Sequence, residues 1–210
     1  MFDSKNMIKA LISGDKASVE ELVRAELKKG TAAIEILNAG LVAGMDIVGE
    51  KMESADMFIP DVLMAAKAMK AGVEIIKGQM SEEDASARGR VVIGTVKGDL
   101  HDIGKNLVAI MMESAGLEVF NIGVDIAPEE FVRNAKEKDA GMLCLSALLT
   151  TTMPMMRQTV EAVVESGLRD NVKILIGGSP VTQGYADDIG ADGYAPDAGS
   201  AAKMAKAMFD

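Results

Sequence analysis

The feature that most constrains the fold is a repeat of short apolar runs in the second half of the chain. Five runs follow one another at intervals of roughly thirty residues, with helical stretches between them. They are VVIGTV (91–96), LEVFNIG (117–123), GMLCLSAL (141–148), VKILIGG (172–178) and ADGYA (191–195). Parallel strands need long crossover connections, and these cover both faces of the sheet. We therefore expect residues 91–210 to form a doubly wound parallel-sheet α/β domain of the Rossmann or flavodoxin-like type.

Residues 1–80 have a different pattern, with apolar side chains at helical spacing and almost no strand signal. We expect four helices: one over about 4–12, a second beginning near Ser18, a third opened by Thr31 and a fourth led by Pro60. The short connections favour a small antiparallel bundle. The polar stretch SEEDASARGR at 81–90 predicts a linker between bundle and α/β domain.

Composition excludes several classes of function. Lys and Arg total 22 against 32 Asp and Glu, a net charge of −10, so a basic surface for nucleic acid or anionic membrane is not expected. No apolar stretch approaches the roughly 20 residues of a membrane span, and we expect a cytoplasmic protein. One cysteine (Cys144) and one histidine (His101) are too few for a closed zinc site.

The loop after the first predicted strand contains His101 between Asp99 and Asp102. A phosphate loop is one interpretation, but five residues instead of four separate Gly98 from Gly104. A second is that His101 is a solvated surface residue. A third makes the imidazole an axial ligand of a metal that a macrocycle already holds, with Asp99 accepting the other ring N–H.

Further segments carry a resemblance to a known family. The motif Asp99-Leu100-His101-Asp102-Ile103-Gly104 is D-x-H-x-x-G, Ser146-Ala147-Leu148 is S-x-L, and Gly177-Gly178 is a glycine pair after the fourth strand. Together with a preceding helical bundle, these resemble the cobalamin-binding region of methionine synthase and the corrinoid methyl carriers. SALLTTTM and GGSPVTQ are most similar to the methylated-amine branch, among carriers that serve methylamine, methanol or betaine methyltransferases.

The resemblance implies a cobalamin or related corrinoid bound base-off/His-on, with His101 as the metal ligand. Asp99 would bind the His101 ring, and Ser146 would extend that contact toward Asp99 or the nucleotide tail. The implied cofactor-binding residues are Asp99, His101, Asp102, Ile103, Gly104, Ser146, Leu148, Thr150, Gly177, Gly178, Tyr194 and Ala195. We predict no catalytic residue.

The implied function is to carry a methyl group on cobalt from a substrate-specific methyltransferase to an acceptor methyltransferase acting on tetrahydrofolate or a thiol. A reductive activating protein would be a third partner. A cobalamin-dependent sensor and the small subunit of a mutase are the alternatives. Methionines and Phe58 in the second half of the bundle would either cover the corrin or form core: Met45, Met52, Met57, Met64 and Met69.

Overall fold

The computed structural model describes residues 4–79 and 89–209. The chain divides into two compact units, Met1–Ser86 and Ala87–Asp210. The predicted linker at 81–90 lies outside the described residues except for Gly89 and Arg90, and Arg90 already begins a strand. Among the described residues, no helix is both long and apolar enough to cross a membrane.

The first unit is helical. Its elements are α1 (Lys5–Ile12), α2 (Lys16–Lys28), α3 (Ala33–Ile36), a π-helical segment (Leu37–Val42), α4 (Ala43–Glu53), α5 (Ile59–Ile76) and a 3-10 turn (Lys77–Gln79). The predicted third helix is therefore interrupted by the π segment. The fully buried core side chains include Leu11, Val19, Val23, Ile36, Leu41, Val48, Val62 and Ile76. Pro60 lies in the first turn of α5, as the sequence predicts.

Helix α2 begins earlier than the capping pattern at Ser18 predicts. The Asp15 carboxylate accepts hydrogen bonds from the Ser18 backbone N–H at 3.1 Å and the Ser18 hydroxyl at 2.7 Å. Asp15 is thus the N-cap, and Ser18 lies in the first turn. Both residues suit a helix start, so the sequence alone did not separate them.

The second unit is a five-stranded parallel sheet with the order β2-β1-β3-β4-β5. The strands are β1 (Arg90–Thr95), β2 (Glu118–Asn121), β3 (Met142–Ser146), β4 (Lys173–Gly177) and β5 (Gly193–Ala195). The helices are α6 (Ile103–Ser114), α7 (Pro128–Glu137), α8 (Met153–Glu165), α9 (Gln183–Ile189) and α10 (Ala198–Phe209). The flavodoxin-like order confirms the predicted fold class.

The order of strands also fixes where a ligand can bind. Connections leave β1 and β3 in opposite directions along the sheet, so a crevice opens between their carboxyl ends. Helix α6 packs against α10, and α7 packs against α8, which places the loops after β1 and β3 between the helical layers. Side chains from Val91 to Thr95 are buried, as the apolar runs predict for strands covered on both faces.

Candidate functional site

Four strands end in one row at the carboxyl edge of the sheet. Thr95 pairs with Ser146, Ser146 with Gly177, and Gly177 with Ala195. The predicted site residues Ser146, Gly177 and Ala195 therefore lie side by side, although long helical connections separate them in sequence. The loop that carries His101 follows Thr95 directly.

The centre of the site is the carboxylate of Asp99, which is fully buried. Its Oδ1 accepts a hydrogen bond from Nδ1 of His101 at 2.7 Å and one from the His101 backbone N–H at 3.1 Å. Its Oδ2 accepts from the Leu148 N–H at 2.7 Å and from the Thr152 hydroxyl at 2.9 Å, with a longer bond from the Leu149 N–H at 3.3 Å. Both oxygens are thus saturated by donors from the loops after β1 and β3.

The electrostatics of Asp99 follow from these contacts. Burial on its own raises the pKa of the Asp99 carboxyl, because it removes the charged form from water. Hydrogen bonds from Leu148, from the ring and backbone of His101, and from Thr152 outweigh that effect and hold the pKa well below its ordinary value. Asp99 is therefore ionised at neutral pH.

The His101 ring has one nitrogen held and one free. Because Nδ1 contacts a carboxylate, Nδ1 carries the proton of the neutral ring and Nε2 has an available lone pair. Within the described part of the chain, no residue forms a hydrogen bond with Nε2, and the side chain is 51% exposed. The Thr95 hydroxyl donates to the His101 carbonyl at 2.9 Å and fixes its backbone.

Exposed apolar side chains lie on the two loops that meet at Asp99. Leu100 is 72% exposed and Ile103 is 76% exposed, while Leu148 and Leu149 across the crevice are each 42% exposed. Large apolar side chains left in solvent around a polar centre are typical of a ligand-binding surface. The site thus offers one metal-ligating nitrogen beside a broad apolar surface.

Comparison with known proteins agrees with this geometry. The B12 binding domain family matches residues 89–203, and a second B12 binding domain family matches residues 4–77. The chain belongs to the B12-binding corrinoid proteins. Dimethylamine corrinoid protein 1 of Methanosarcina acetivorans is 52% identical over 176 residues, which is 83% of each chain.

Two solved structures share the fold of this corrinoid protein. A cobalamin-binding protein from Desulfitobacterium hafniense superposes with a TM-score of 0.86 at 33% identity, covering 99% of this chain and 98% of the other. The methanol:cobalamin methyltransferase complex MtaBC of Methanosarcina barkeri gives a TM-score of 0.83 at 30% identity, covering 97% and 78%.

The described residues fit a corrinoid in a second respect, which concerns glycine. A Cβ atom on Gly104, in the first turn of α6, would have no atom within 4 Å, so the space above that helix start is open. Gly178 differs, since its φ is +135° and a Cβ there would lie 1.8 Å from the Ala147 carbonyl oxygen. Gly178 is required by the protein's own backbone, whereas Gly104 leaves room for a ligand.

The remaining predicted residues lie at the same edge with different contacts. Asp102 is the N-cap residue of α6, and Thr150 is exposed in the loop after β3. Tyr194 is half-buried in β5. Ser146 is not among the donors to Asp99, which corrects the predicted contact: Thr152 provides the side-chain hydroxyl that Asp99 binds. Ser146 ends β3 two residues before Leu148, the first donor to Asp99 from this loop. Contact with the nucleotide tail is the role left to Ser146 as a prediction.

Sequence reasoning missed a polar chain beside the site. The Lys105 ammonium donates to Asn121 Oδ1 at 2.7 Å, Asn121 donates to Asn106 Oδ1 at 2.9 Å, and Asn106 donates to Asp102 Oδ2 at 2.9 Å. A cation at one end and a carboxylate at the other fix the orientation of both amides. Burial lowers the pKa of Lys105, and the negative charge of Asp102 opposes that shift. The sequence signal that could have predicted this chain of hydrogen bonds is Lys105, a lysine at a position of α6 that faces the core.

Proposed function

We propose that this protein binds a corrinoid base-off, with Nε2 of His101 as the lower axial ligand, and carries a methyl group between two methyltransferases. The observation that supports it is the His101 ring, held at Nδ1 by a buried carboxylate and free at Nε2. A metal held by a macrocycle needs only one such ligand from the protein. The open space at Gly104 and the exposed leucines provide the surface for the ring.

Each residue has a defined task in this proposal. Asp99 keeps the His101 proton on Nδ1 and so directs the lone pair of Nε2 outward. Thr152 and the Leu148 N–H keep Asp99 ionised in the interior. The exposed side chains of Leu100 and Ile103 would exclude water from a corrinoid bound beside His101. A bound corrinoid supplies the cobalt centre that accepts and gives up the methyl group.

The methyl donor we propose is a methylated amine, since the relative that is 52% identical is named a dimethylamine corrinoid protein. The partners are then a substrate-specific amine methyltransferase, an acceptor methyltransferase that uses tetrahydrofolate or a thiol, and a reductive activating protein. The proposed domain organisation has three parts: a helical bundle at 1–80, a linker at 81–90 and a cofactor domain at 91–210. A location in the cytoplasm belongs to the same proposal.

The first test is an absorption spectrum of the apoprotein reconstituted with hydroxocobalamin. We expect the wild type to bind it and to give the spectrum of histidine ligation with the nucleotide base displaced. The variant His101→Ala should bind without histidine ligation, and added imidazole should restore the wild-type spectrum. A wild type that stays colourless, or one whose spectrum is unchanged in His101→Ala, would contradict the proposal.

A second test separates a methyl carrier from a sensor. The reduced holoprotein is incubated with dimethylamine and a dimethylamine methyltransferase, and methylation of the bound corrinoid is followed by its absorption. Monomethylamine and methanol with their own methyltransferases serve as controls for the donor. Uptake from dimethylamine supports the amine carrier, uptake from methanol alone corrects the donor, and no uptake from any of them favours the sensor.

A further inference from the structure

The loop between β2 and α7 reaches across to the loop that carries His101. Asp125 Oδ1 accepts a hydrogen bond from the Gly98 backbone N–H at 2.7 Å. The Asp125 backbone N–H donates to the Asp99 carbonyl at 3.1 Å. One residue therefore binds the backbone of two consecutive residues, Gly98 and Asp99, immediately before Leu100.

Asp125 makes these contacts from an unfavourable backbone conformation. Its φ is +58°, in the left-handed region that residues other than glycine rarely adopt. Its partner Gly98 has a φ of +83°. Aspartate tolerates this region better than most residues, but the conformation still costs free energy and persists only where surrounding contacts fix it. The two hydrogen bonds of Asp125 described above both end on the loop that carries His101.

Asp102, which follows His101 in sequence, is held by a chain of hydrogen bonds that also starts at the end of β2. Asn121, the last residue of β2, is the middle of the polar chain that ends on Asp102. Thr95 holds the His101 carbonyl between these two attachments. The chain is thus held before His101 through the backbone of Gly98 and Asp99, at His101 through its carbonyl, and after it through the Asp102 side chain. None of the holding groups, Asp125, Thr95 and Asn106, is bonded to the His101 ring.

We propose that Asp125 is a positioning residue for His101: it holds the peptide groups of Gly98 and Asp99 so that the ring is already in place when a ligand arrives. This inference rests on the proposed role of His101 as the axial ligand. Asp125 acts through the backbone and does not contact the ring. Removing its carboxylate loosens the loop and reduces histidine ligation, while the fold and the corrinoid surface remain.

The chain contains a matched control for the backbone strain. Asp139 has a φ of +50° and its side chain is 96% exposed, with only a 3.5 Å contact to Arg90. The variants Asp125→Ala and Asp139→Ala both place alanine at a positive φ, but only the first removes the bond to Gly98. A third variant, Asp125→Asn, keeps an acceptor oxygen and a side chain that tolerates this conformation.

The first readout is independent of any cofactor: the exchange rate of the Gly98 amide in the apoprotein, measured by NMR. A hydrogen bond to a charged group is expected to slow exchange by about tenfold or more. We expect Asp125→Ala to accelerate Gly98 exchange by about that factor, Asp125→Asn by less, and Asp139→Ala not at all. Equal exchange in Asp125→Ala and Asp139→Ala overturns the proposal.

The second readout is the fraction of histidine-ligated protein after reconstitution with hydroxocobalamin. We expect the ratio of ligated to unligated forms to fall by about tenfold in Asp125→Ala and to remain at the wild-type value in Asp139→Ala. If the wild type ligates and the two variants match, the positioning role is wrong and the proposed function stands. If the wild type does not ligate, the proposed function fails. Should Asp125→Ala not fold, Asp125→Gly and Asp139→Gly give the same comparison, because glycine removes the carboxylate and accepts a positive φ at both positions.

Discussion

The carboxylate of Asp99 and the ring of His101 meet at the boundary between the interior of the α/β unit and solvent. Oδ1 of Asp99 lies 2.7 Å from Nδ1 of His101, and Asp99 is fully buried whereas the His101 side chain is 51% exposed. The second oxygen, Oδ2, binds donors from the loop after β3. One carboxylate therefore joins two loops and orients the exposed imidazole.

Asp99→Asn is expected to lower the free energy of unfolding at neutral pH by about 2–3 kcal/mol, because an amide turns an N–H group toward donors. The pKa of Asp99 is lower in the folded protein than its ordinary value of 3.8. The stability it contributes is therefore present above that ordinary value and is lost as the pH falls toward the folded pKa. The difference in the free energy of unfolding between wild type and Asp99→Asn should therefore shrink as the pH falls below 3.8.

The measurement is chemical denaturation of the apoproteins at several pH values from neutral downward. Asp139→Asn is the control, since its side chain is 96% exposed and it should follow the wild type throughout. If the difference in the free energy of unfolding between wild type and Asp99→Asn stays constant down to the lowest pH measured, the ionised, hydrogen-bonded state of Asp99 is contradicted.

Two glycines of the candidate site, Gly178 after β4 and Gly104 in the first turn of α6, should respond in opposite ways to alanine. Gly178→Ala places a Cβ 1.8 Å from a backbone oxygen at a positive φ and should destabilise the apoprotein by about 3 kcal/mol or more. Gly104→Ala meets no atom within 4 Å and should leave stability unchanged or raise it by roughly 0.5 kcal/mol, because alanine favours a helix. Its effect should appear in weaker binding of hydroxocobalamin.

Melting temperatures of both apoproteins and a titration with hydroxocobalamin check this pair. Wild-type affinity in a stable Gly104→Ala variant would mean that the open space at the start of α6 is not occupied by ligand.

The order of elements in the α/β unit could be predicted from sequence because β1, β3 and β4 are buried on both faces. Continuous apolar runs such as MLCLS mark such strands, and each observed strand lies within one residue of a predicted run or inside it. The row formed by Thr95, Ser146, Gly177 and Ala195 then follows from parallel pairing, because carboxyl ends meet at one edge. The Asp99–His101 contact was predictable from a spacing of two residues.

The contacts that depend on tertiary approach were not predictable. Thr152 binds Asp99 across 53 positions of sequence, and Asp125 binds Gly98 across 27. Only the loop conformations decide which hydroxyl or carboxylate reaches these groups. The same holds for the bundle methionines: Met45, Met57 and Met69 are core, whereas Met64 is 55% exposed. Helical spacing predicted an apolar face but not which members it would bury.

The Lys105–Asn121 pair should show strong coupling. Asn121→Leu leaves the Lys105 ammonium with only its 3.3 Å hydrogen bond to the Gly123 carbonyl and is expected to destabilise the apoprotein by about 2–3 kcal/mol. Lys105→Met removes the charge itself, and the Gly123 N–H still donates a hydrogen bond to Asn121 Oδ1 at 3.2 Å. We therefore expect the free energy of unfolding to fall by only about 1 kcal/mol.

The double variant Lys105→Met/Asn121→Leu should be more stable than Asn121→Leu alone, because it contains no buried ammonium that has lost its shortest hydrogen bond. Denaturation of the four proteins gives the coupling free energy. Strict additivity would show that the hydrogen bond to the Gly123 carbonyl alone is enough to satisfy Lys105.

Methionine oxidation can decide whether the exposed part of the bundle covers the cofactor. Met64 is 55% exposed and Met69 is 4% exposed, so hydrogen peroxide should oxidise Met64 much faster in the apoprotein. If exposed residues of the bundle cover the corrinoid, loading with hydroxocobalamin should slow Met64 oxidation several-fold. Met204 in α10, which is half-buried, is the internal control for any general effect of the cofactor. Peptide mass spectrometry at timed intervals gives each rate. An unchanged oxidation rate of Met64 in fully loaded protein would mean that Met64 is an exposed surface residue that does not cover the corrinoid.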